Sequence, residues 1–281
     1  MRPLPLTFLL LILWFSPAQA FQVRGMDGPA SFIVDPSTGV YYVSNVSGSP
    51  GAKDNNAFIA RIDPTGTHAD RDFIRAGING VHLNAPRGLA LSGNNLYVTD
   101  IDVVRRFDVE SGKPLGIIDF SLLGARSLHG LAVDSDGLLF VSDTAGNVIY
   151  RIDPANHFQI TVLAKDPKLG NPNGLVYEAP HRRLLVATES GKLIAVDMRG
   201  HILPILKKRF KDLSGIDLDR ERNIIVSSAR EGTIYRIKKY STVEVIRKSM
   251  VTPAGISYDF RNHQVLVPSF KGNLVFTFPL K

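Results

Sequence analysis

The chain has 281 residues, no cysteine, 24 glycines, 17 prolines and a formal net charge of +7. With 44% hydrophobic and 21% charged residues it is neither disordered, collagen-like nor a polytopic membrane protein. The lack of cysteine removes disulfides, thiol nucleophiles and thiolate metal sites from consideration.

The N-terminus reads as an export signal: Arg2, an apolar run from Leu6 to Phe15, then Ser16-Pro17-Ala18-Gln19-Ala20 with an Ala-x-Ala ending. A membrane span needs roughly 20 apolar residues, and Ser16 and Pro17 interrupt this run well before that. The expected organisation is therefore a signal peptide over 1–20, cleaved near Ala20, and one folded unit over 21–281. The mature protein is expected to be exported, periplasmic or secreted. Asn45-Val46-Ser47 fits a glycosylation sequon.

Next comes an internal repeat, the feature that sets the architecture. Arg87-Gly88-Leu89-Ala90, His129-Gly130-Leu131-Ala132, Asn173-Gly174-Leu175-Val176, Ser214-Gly215-Ile216-Asp217 and Ala254-Gly255-Ile256-Ser257 share one frame, with a weaker first copy at Ala30-Ser31-Phe32-Ile33. The glycines are 42, 44, 41 and 40 residues apart. About ten residues after each frame comes a β-rich run. These runs end at Asn45, Asp100, Asp143, Thr188, Ser228 and Ser269, and a third run ends near Asp63, Asp108, Asp153, Asp197, Lys238 and Pro279. Fourth apolar stretches follow at 114–120, 158–164, 202–206 and 243–246. Four strands per forty-odd residues is the pattern of a propeller blade, so the predicted fold is all-β: a six-bladed β-propeller with four-stranded antiparallel blades. The last copy stops after its third strand, and Phe21 to Gly25 is predicted to supply the fourth, closing the ring and removing a free edge.

In this topology the residue before each glycine faces a ring at the channel mouth: Ala30, Arg87, His129, Asn173, Ser214 and Ala254. Behind it stand Asn45, Asp100, Asp143, Thr188, Ser228 and Ser269, and the covering turns carry Lys192, Arg230 and Lys271. The fold requires the glycines but not an Arg, a His and an Asn facing one another, so the ligand-binding candidates are Arg87, His129, Asn173, Ser214, Asp100, Asp143, Lys192, Arg230 and Lys271. Asp100 and Asp143 have an alternative role as acceptors for backbone amides of neighbouring turns. In Asn171-Pro172-Asn173-Gly174, Pro172 disfavours helix at Asn171 and Gly174 permits close backbone approach, so the Asn173 amide can be aimed at the channel.

These repeats resemble the six-bladed propellers of the senescence marker protein, gluconolactonase and luciferin-regenerating enzyme family, and the blade from Leu128 to Asp153 also resembles an NHL repeat. The likeness spans nearly all of the mature chain, and Asn171-Pro172-Asn173-Gly174 is its most specific piece. It implies hydrolysis of lactones or esters with one divalent cation, held by a Glu of the first blade, the Asn of the Pro-Asn-Gly segment and an Asp of the following blade. Asn173 matches the Asn, but Ala30 and Ser214 stand at the two carboxylate positions. A hard cation needs anionic oxygen ligands, and the six ring residues offer none.

The expected function is thus a non-catalytic exported propeller that binds a small anion, a sugar acid or a protein loop at the mouth. No catalytic residue, no cofactor and no metal ligand is assigned, Asn173 being the one candidate for a metal. The alternative is a divergent lactone or ester hydrolase using calcium or zinc, with Asn173 and His129 joined by Asp100, Asp143 or Glu189. The basic excess lies in the later blades: residues 201–281 carry 15 Lys and Arg against 7 Asp and Glu. That side is suited to weak contact with an anionic surface. Nucleic acid is not expected as a partner, and the chain is expected to be a monomer.

Overall fold

The computed structural model describes residues 20–280. All but the last residue of the export segment lie outside the described residues. β1 (Gln22–Arg24) opens the fold. Blade 1 follows with β2 (Pro29–Val34), β3 (Tyr41–Asn45), β4 (Phe58–Ile62) and β5 (Ala69–Arg75). Blade 2 is β6 (Pro86–Ser92), β7 (Asn95–Asp100), β8 (Val103–Asp108) and β9 (Pro114–Asp119). Blade 3 is β10 (Leu128–Val133), β11 (Leu139–Asp143), β12 (Val148–Asp153) and β13 (Gln159–Lys165). Blade 4 is β14 (Pro172–Glu178), β15 (Arg183–Thr188), β16 (Leu193–Asp197) and β17 (Ile202–Pro204). Blade 5 is β18 (Leu213–Leu218), β19 (Ile224–Ser228), β20 (Thr233–Lys238) and β21 (Thr242–Arg247). Blade 6 is β22 (Ser257–Asp259), β23 (Gln264–Ser269), β24 (Leu274–Pro279) and, from the other end of the chain, β1. The described helical structure is three single 3-10 turns, at Ser121–Leu123, Pro167–Leu169 and Ala179–His181.

The ring closes as the repeat count requires. β1 pairs antiparallel with β24, with Val23 opposite Val275, and the pairing extends through Phe21, whose amide donates to Thr277 Oγ1 while its carbonyl accepts from the Thr277 amide. Phe21 also stacks edge-on against Tyr41, 5.2 Å between ring centroids, so the closing strand carries an apolar anchor.

Burial explains the strand sequences. Second strands lie between neighbouring blades and are covered on both faces; every residue of β3, β11, β19 and β23 is buried. They therefore read as unbroken apolar and small-polar runs. Outer strands face solvent, and β21 is exposed at Thr242, Val245 and Arg247. Asn45 is fully buried, with Oδ1 accepting from the Asp27 amide and Nδ2 donating to the Val43 carbonyl. The sequon at 45–47 thus has no room for a glycan in the folded chain.

Around the axis the inner strands approach so closely that a Cβ on Gly88, Gly130 or Gly174 would collide with the carbonyl oxygen of His129, Asn173 or Ser214, respectively. A hydroxyl joins the blades at this level. Ser142 Oγ accepts from the Gly130 amide at 2.8 Å and donates to the Asn173 carbonyl of the next blade at 2.6 Å. Thr99 does the same for Gly88 and His129, and Ser227 for Gly215 and Ala254. Ser44 bonds the Ser31 amide and the Arg87 carbonyl. Each hydroxyl sits beside a register shift in the first hairpin, such as that between Leu128 and Leu131, where the ladder leaves backbone groups unpaired.

Blade 6 departs from the expected frame. Its inner strand is ordered as β22 only from Ser257, and Ala254 and Gly255 lie before it. Pro268 occupies the position held by the hydroxyl in blades 1, 2, 3 and 5 (Ala187 stands there in blade 4), and the seam to blade 1 is made by other bonds: Gly255 N donates to Ala30 O at 2.8 Å, Phe32 N to Gly255 O at 3.3 Å and Ser257 Oγ to the Phe32 carbonyl at 2.6 Å. The seam between blades 5 and 6 has a further tie: Asp217 accepts from the amides of Leu218 and Tyr258 at 2.7 and 2.8 Å. Burial pushes the Asp217 carboxyl up to about 6, against the pull of those two amide bonds.

Deleting residues 20–24 should lower the melting temperature by about 5 °C or more, corresponding to roughly 2 kcal/mol for a chain of this size; an unchanged melt would refute the importance of the closure. Ser142→Ala strands a buried amide and a buried carbonyl, so its urea midpoint should fall by an amount equivalent to about 1–3 kcal/mol. Asp217 is more protonated in the folded than in the unfolded state, so its contribution is complete below about pH 4 and is lost as pH rises through about 6. Asp217→Asn should flatten the decline in melting temperature across that interval, and a parallel decline in both proteins would contradict the assignment.

Candidate functional site

The first hairpin of each blade places the start of the inner strand opposite the end of the second strand, as in Pro86 with Asp100, Leu128 with Asp143, Pro172 with Thr188 and Leu213 with Ser228. The residues before the glycines therefore gather at one end of the channel. Below them the channel is a cavity of about 230 Å³, walled by the inner-strand backbone and residues such as Leu89, Leu131, Leu175 and Ile256.

At the mouth, Arg87 and His129 are in direct contact, with Arg87 Nη1 and His129 Nε2 3.0 Å apart. A guanidinium can only donate, so Nε2 is the acceptor and the imidazole proton resides on Nδ1. Burial, and then the Arg87 charge, drive the His129 pKa well below its usual value, which keeps the ring neutral. Burial also lowers the Arg87 pKa, opposed by the more distant charge of Glu189. Among the described residues Arg87 belongs to no ion pair. The mouth thus holds a partly desolvated cation that, among the described residues, has no carboxylate in contact, an arrangement that costs free energy unless an anion completes it.

Asn173 stands on the next blade. Asn171 enters the segment with φ at +60°, and its amide donates to Asn147 Oδ1 at 2.7 Å. The Asn173 carbonyl is held by Ser142, and its Nδ2 donates to the Leu213 carbonyl at 3.4 Å. Asn173 Oδ1 is buried and has no hydrogen-bond partner. Buried acceptors in folded proteins are almost always satisfied, so this oxygen is a further unmet requirement at the same mouth.

The remaining sequence candidates divide into separate groups. Asp100 accepts from the Asn84 and Ala85 amides and is paired with Arg105 at 2.6 Å. Asp143 accepts from the amides of Arg126, Ser127 and Gly146. Both carboxylates thus fasten the loops around their blade ends. Ser214 is 7% exposed beside the channel. Arg230 is exposed and borders a second hollow with Glu189 and Asp212. Burial raises the pKa of both acids; the Asp212 charge adds to the rise at Glu189, while Arg230 opposes the rise at Asp212. Lys192 faces a different groove at the rim of blade 4, and Lys271 is an exposed residue of the turn between β23 and β24. The structure therefore unites Arg87, His129 and Asn173 around the mouth. Beside Arg230 and Glu189, in the second hollow, it adds Asp212, which lies outside the repeat frame and carries no signal in the sequence. Among the described residues no group of three or more His, Asp or Glu is gathered as metal binding requires.

No family model matches this chain, and no curated protein matches it either. Solved structures do. A virginiamycin B lyase from Staphylococcus aureus is 15% identical, with a TM-score of 0.65 over 94% of this chain and 99% of that one. A Bacteroides thetaiotaomicron protein of unknown function is 10% identical, with a TM-score of 0.72 over 94% of this chain and 72% of the other. A chain of a nidogen/laminin complex is 17% identical, with a TM-score of 0.61 over 74% of each chain. At such identities the likeness is one of fold. The chain is a six-bladed β-propeller with neighbours that include lyases, and function has to be argued from its own mouth.

Proposed function

We propose that this chain is an exported propeller whose channel mouth binds a small anion of the sugar-acid or hydroxy-acid type, without catalysis. The observation that carries the reading is the half-buried Arg87 guanidinium, which among the described residues has no carboxylate in contact and rests against a neutral His129. An arriving carboxylate gains charge-assisted hydrogen bonds from Arg87. The orphan Asn173 Oδ1 offers an acceptor for a ligand hydroxyl. A hydroxy acid satisfies both demands, whereas a bare anion satisfies one.

The second reading, a metal-dependent lactone or ester hydrolase similar to the gluconolactonase family, is favoured by the same unpartnered Asn173 oxygen. The donor set fits it poorly. Ala30 and Ser214 occupy the family's carboxylate positions, Asp100 and Asp143 are engaged by backbone amides, and the Arg87 charge opposes a second cation nearby. These residues support no resident divalent cation, so no reaction step is assigned to one.

Calorimetric titration with gluconate tests the proposal. Gluconate should bind one site per chain, and Arg87→Gln should weaken it about tenfold or more, the usual effect of losing a charge-assisted contact, while the melting temperature is held or raised. Gluconolactone hydrolysis by the unmodified protein that is abolished by a chelator and restored by calcium or zinc would replace this reading with the second. N-terminal sequencing of the exported protein should begin near Phe21.

A further inference from the structure

Blade 4 has the shortest outer strand among blades 1 to 5, and the chain beyond it builds a groove that the mouth does not use. β17 ends at Pro204; the Ile205 amide still donates to the Leu193 carbonyl at 3.0 Å, and the Phe210 amide donates to the Gly191 carbonyl at 2.9 Å. Between these two anchors residues 206–209 arc away from the sheet. They leave a hollow of about 280 Å³. Its floor is apolar, formed by Leu193, Ile194 and Leu206 among others, and its rim carries Lys168, Lys192, Lys207, Lys208 and Arg209. Among the described residues no Asp or Glu lines it. Among the described residues none of the five cations belongs to an ion pair.

The loop is fixed rather than adventitious. Phe210 is buried against Tyr235, with 4.8 Å between ring centroids. Lys208 Nζ lies over both rings, 5.3 Å from the Phe210 centroid and 5.2 Å from that of Tyr235. Five like charges around one hollow repel one another, and an anion placed among them relieves that repulsion. The floor adds a second requirement, since an inorganic anion alone would leave it wetted.

We infer that this groove binds a single-chain anionic amphiphile, with the charged head among Lys192, Lys207 and Arg209 and the first part of the alkyl chain along Leu193 and Leu206. The volume is just below the usual range for whole small-molecule ligands, so the distal chain remains outside. The source is a dispersed monomer rather than a bilayer, because the apolar floor is recessed between the lysines and Leu206 is half-buried instead of projecting. This site is separate from the Arg87 mouth and does not depend on the reading given there.

The test uses decyl phosphate below its aggregation concentration, titrated calorimetrically into the full mature chain. Inorganic phosphate, decyl maltoside and phosphatidylglycerol vesicles are the comparisons. Decyl phosphate should bind one site about tenfold or more tightly than either inorganic phosphate or the neutral decyl maltoside. The double variant Lys207→Ala, Arg209→Ala should lose about tenfold in affinity with an unchanged melting temperature, because neither side chain has an internal ion-pair partner to lose. Leu206→Ser should weaken decyl phosphate and leave inorganic phosphate unchanged, and Arg87→Gln should leave decyl phosphate binding intact. Equal binding of decyl phosphate and inorganic phosphate would overturn the proposal, as would binding that survives the double variant. Sedimentation with vesicles without binding of the monomer would overturn it in favour of a membrane-surface role.

Discussion

The structure depends on how closely six strands can approach a common axis. At Gly88, Gly130 and Gly174 a side chain would strike the carbonyl of the neighbouring blade, and the backbone groups exposed by this approach need partners in a place that water reaches poorly. A hydroxyl from the second strand meets the need twice over, accepting within its own blade and donating to the next, as Thr99, Ser142 and Ser227 do. Blade contact is therefore a matter of polar satisfaction at the axis as well as apolar packing farther out, where clusters such as that of Tyr97, Leu139 and Tyr150 span two blades.

This constraint also shapes the mouth. The glycine and the hydroxyl are both committed to the seam, so the residue before the glycine has its carbonyl fixed and its side chain left free. Asn173 illustrates the point: Ser142 holds its main chain while its Oδ1 has no partner. The scaffold tolerates Ala at position 30, Arg at 87 and His at 129 because none of these side chains belongs to the seam. The price of the polar choices is desolvation, visible in the depressed basicity of both Arg87 and His129.

Much of this was legible from the residues alone. The glycine spacing located the inner strands, and the missing last strand pointed to Phe21 to Gly25, where β1 is found. The seam hydroxyls were also in view, in the runs ending at Asn45, Asp100, Asp143 and Ser228, but one side chain bonding two blades has no linear signature. The outer strand of blade 1, Ala69–Arg75, escaped notice because its Asp and Arg residues face solvent and dilute its apolar pattern. Blade 6 departs from the common frame, its inner strand β22 beginning only at Ser257, and the glycine spacing alone carries no sign of this. Asp217 occupies a frame position where other blades carry Ile, Ala, Val or Ser. Its burial against the Tyr258 amide depends on blade 6, some forty residues farther along the chain.

The pairing of β1 with β24 has a temporal side. The first described strand can find its partner only after about 250 further residues have been made, since Arg24 lies opposite Leu274 and Gln22 opposite Phe276. Until then five sheets can assemble in sequence while the sixth lacks an edge. So large a separation between partners makes completion slow relative to the formation of local hairpins. The unclosed intermediate bares the flank of β24, and its lifetime sets how long the nascent molecule is vulnerable to association with its own kind.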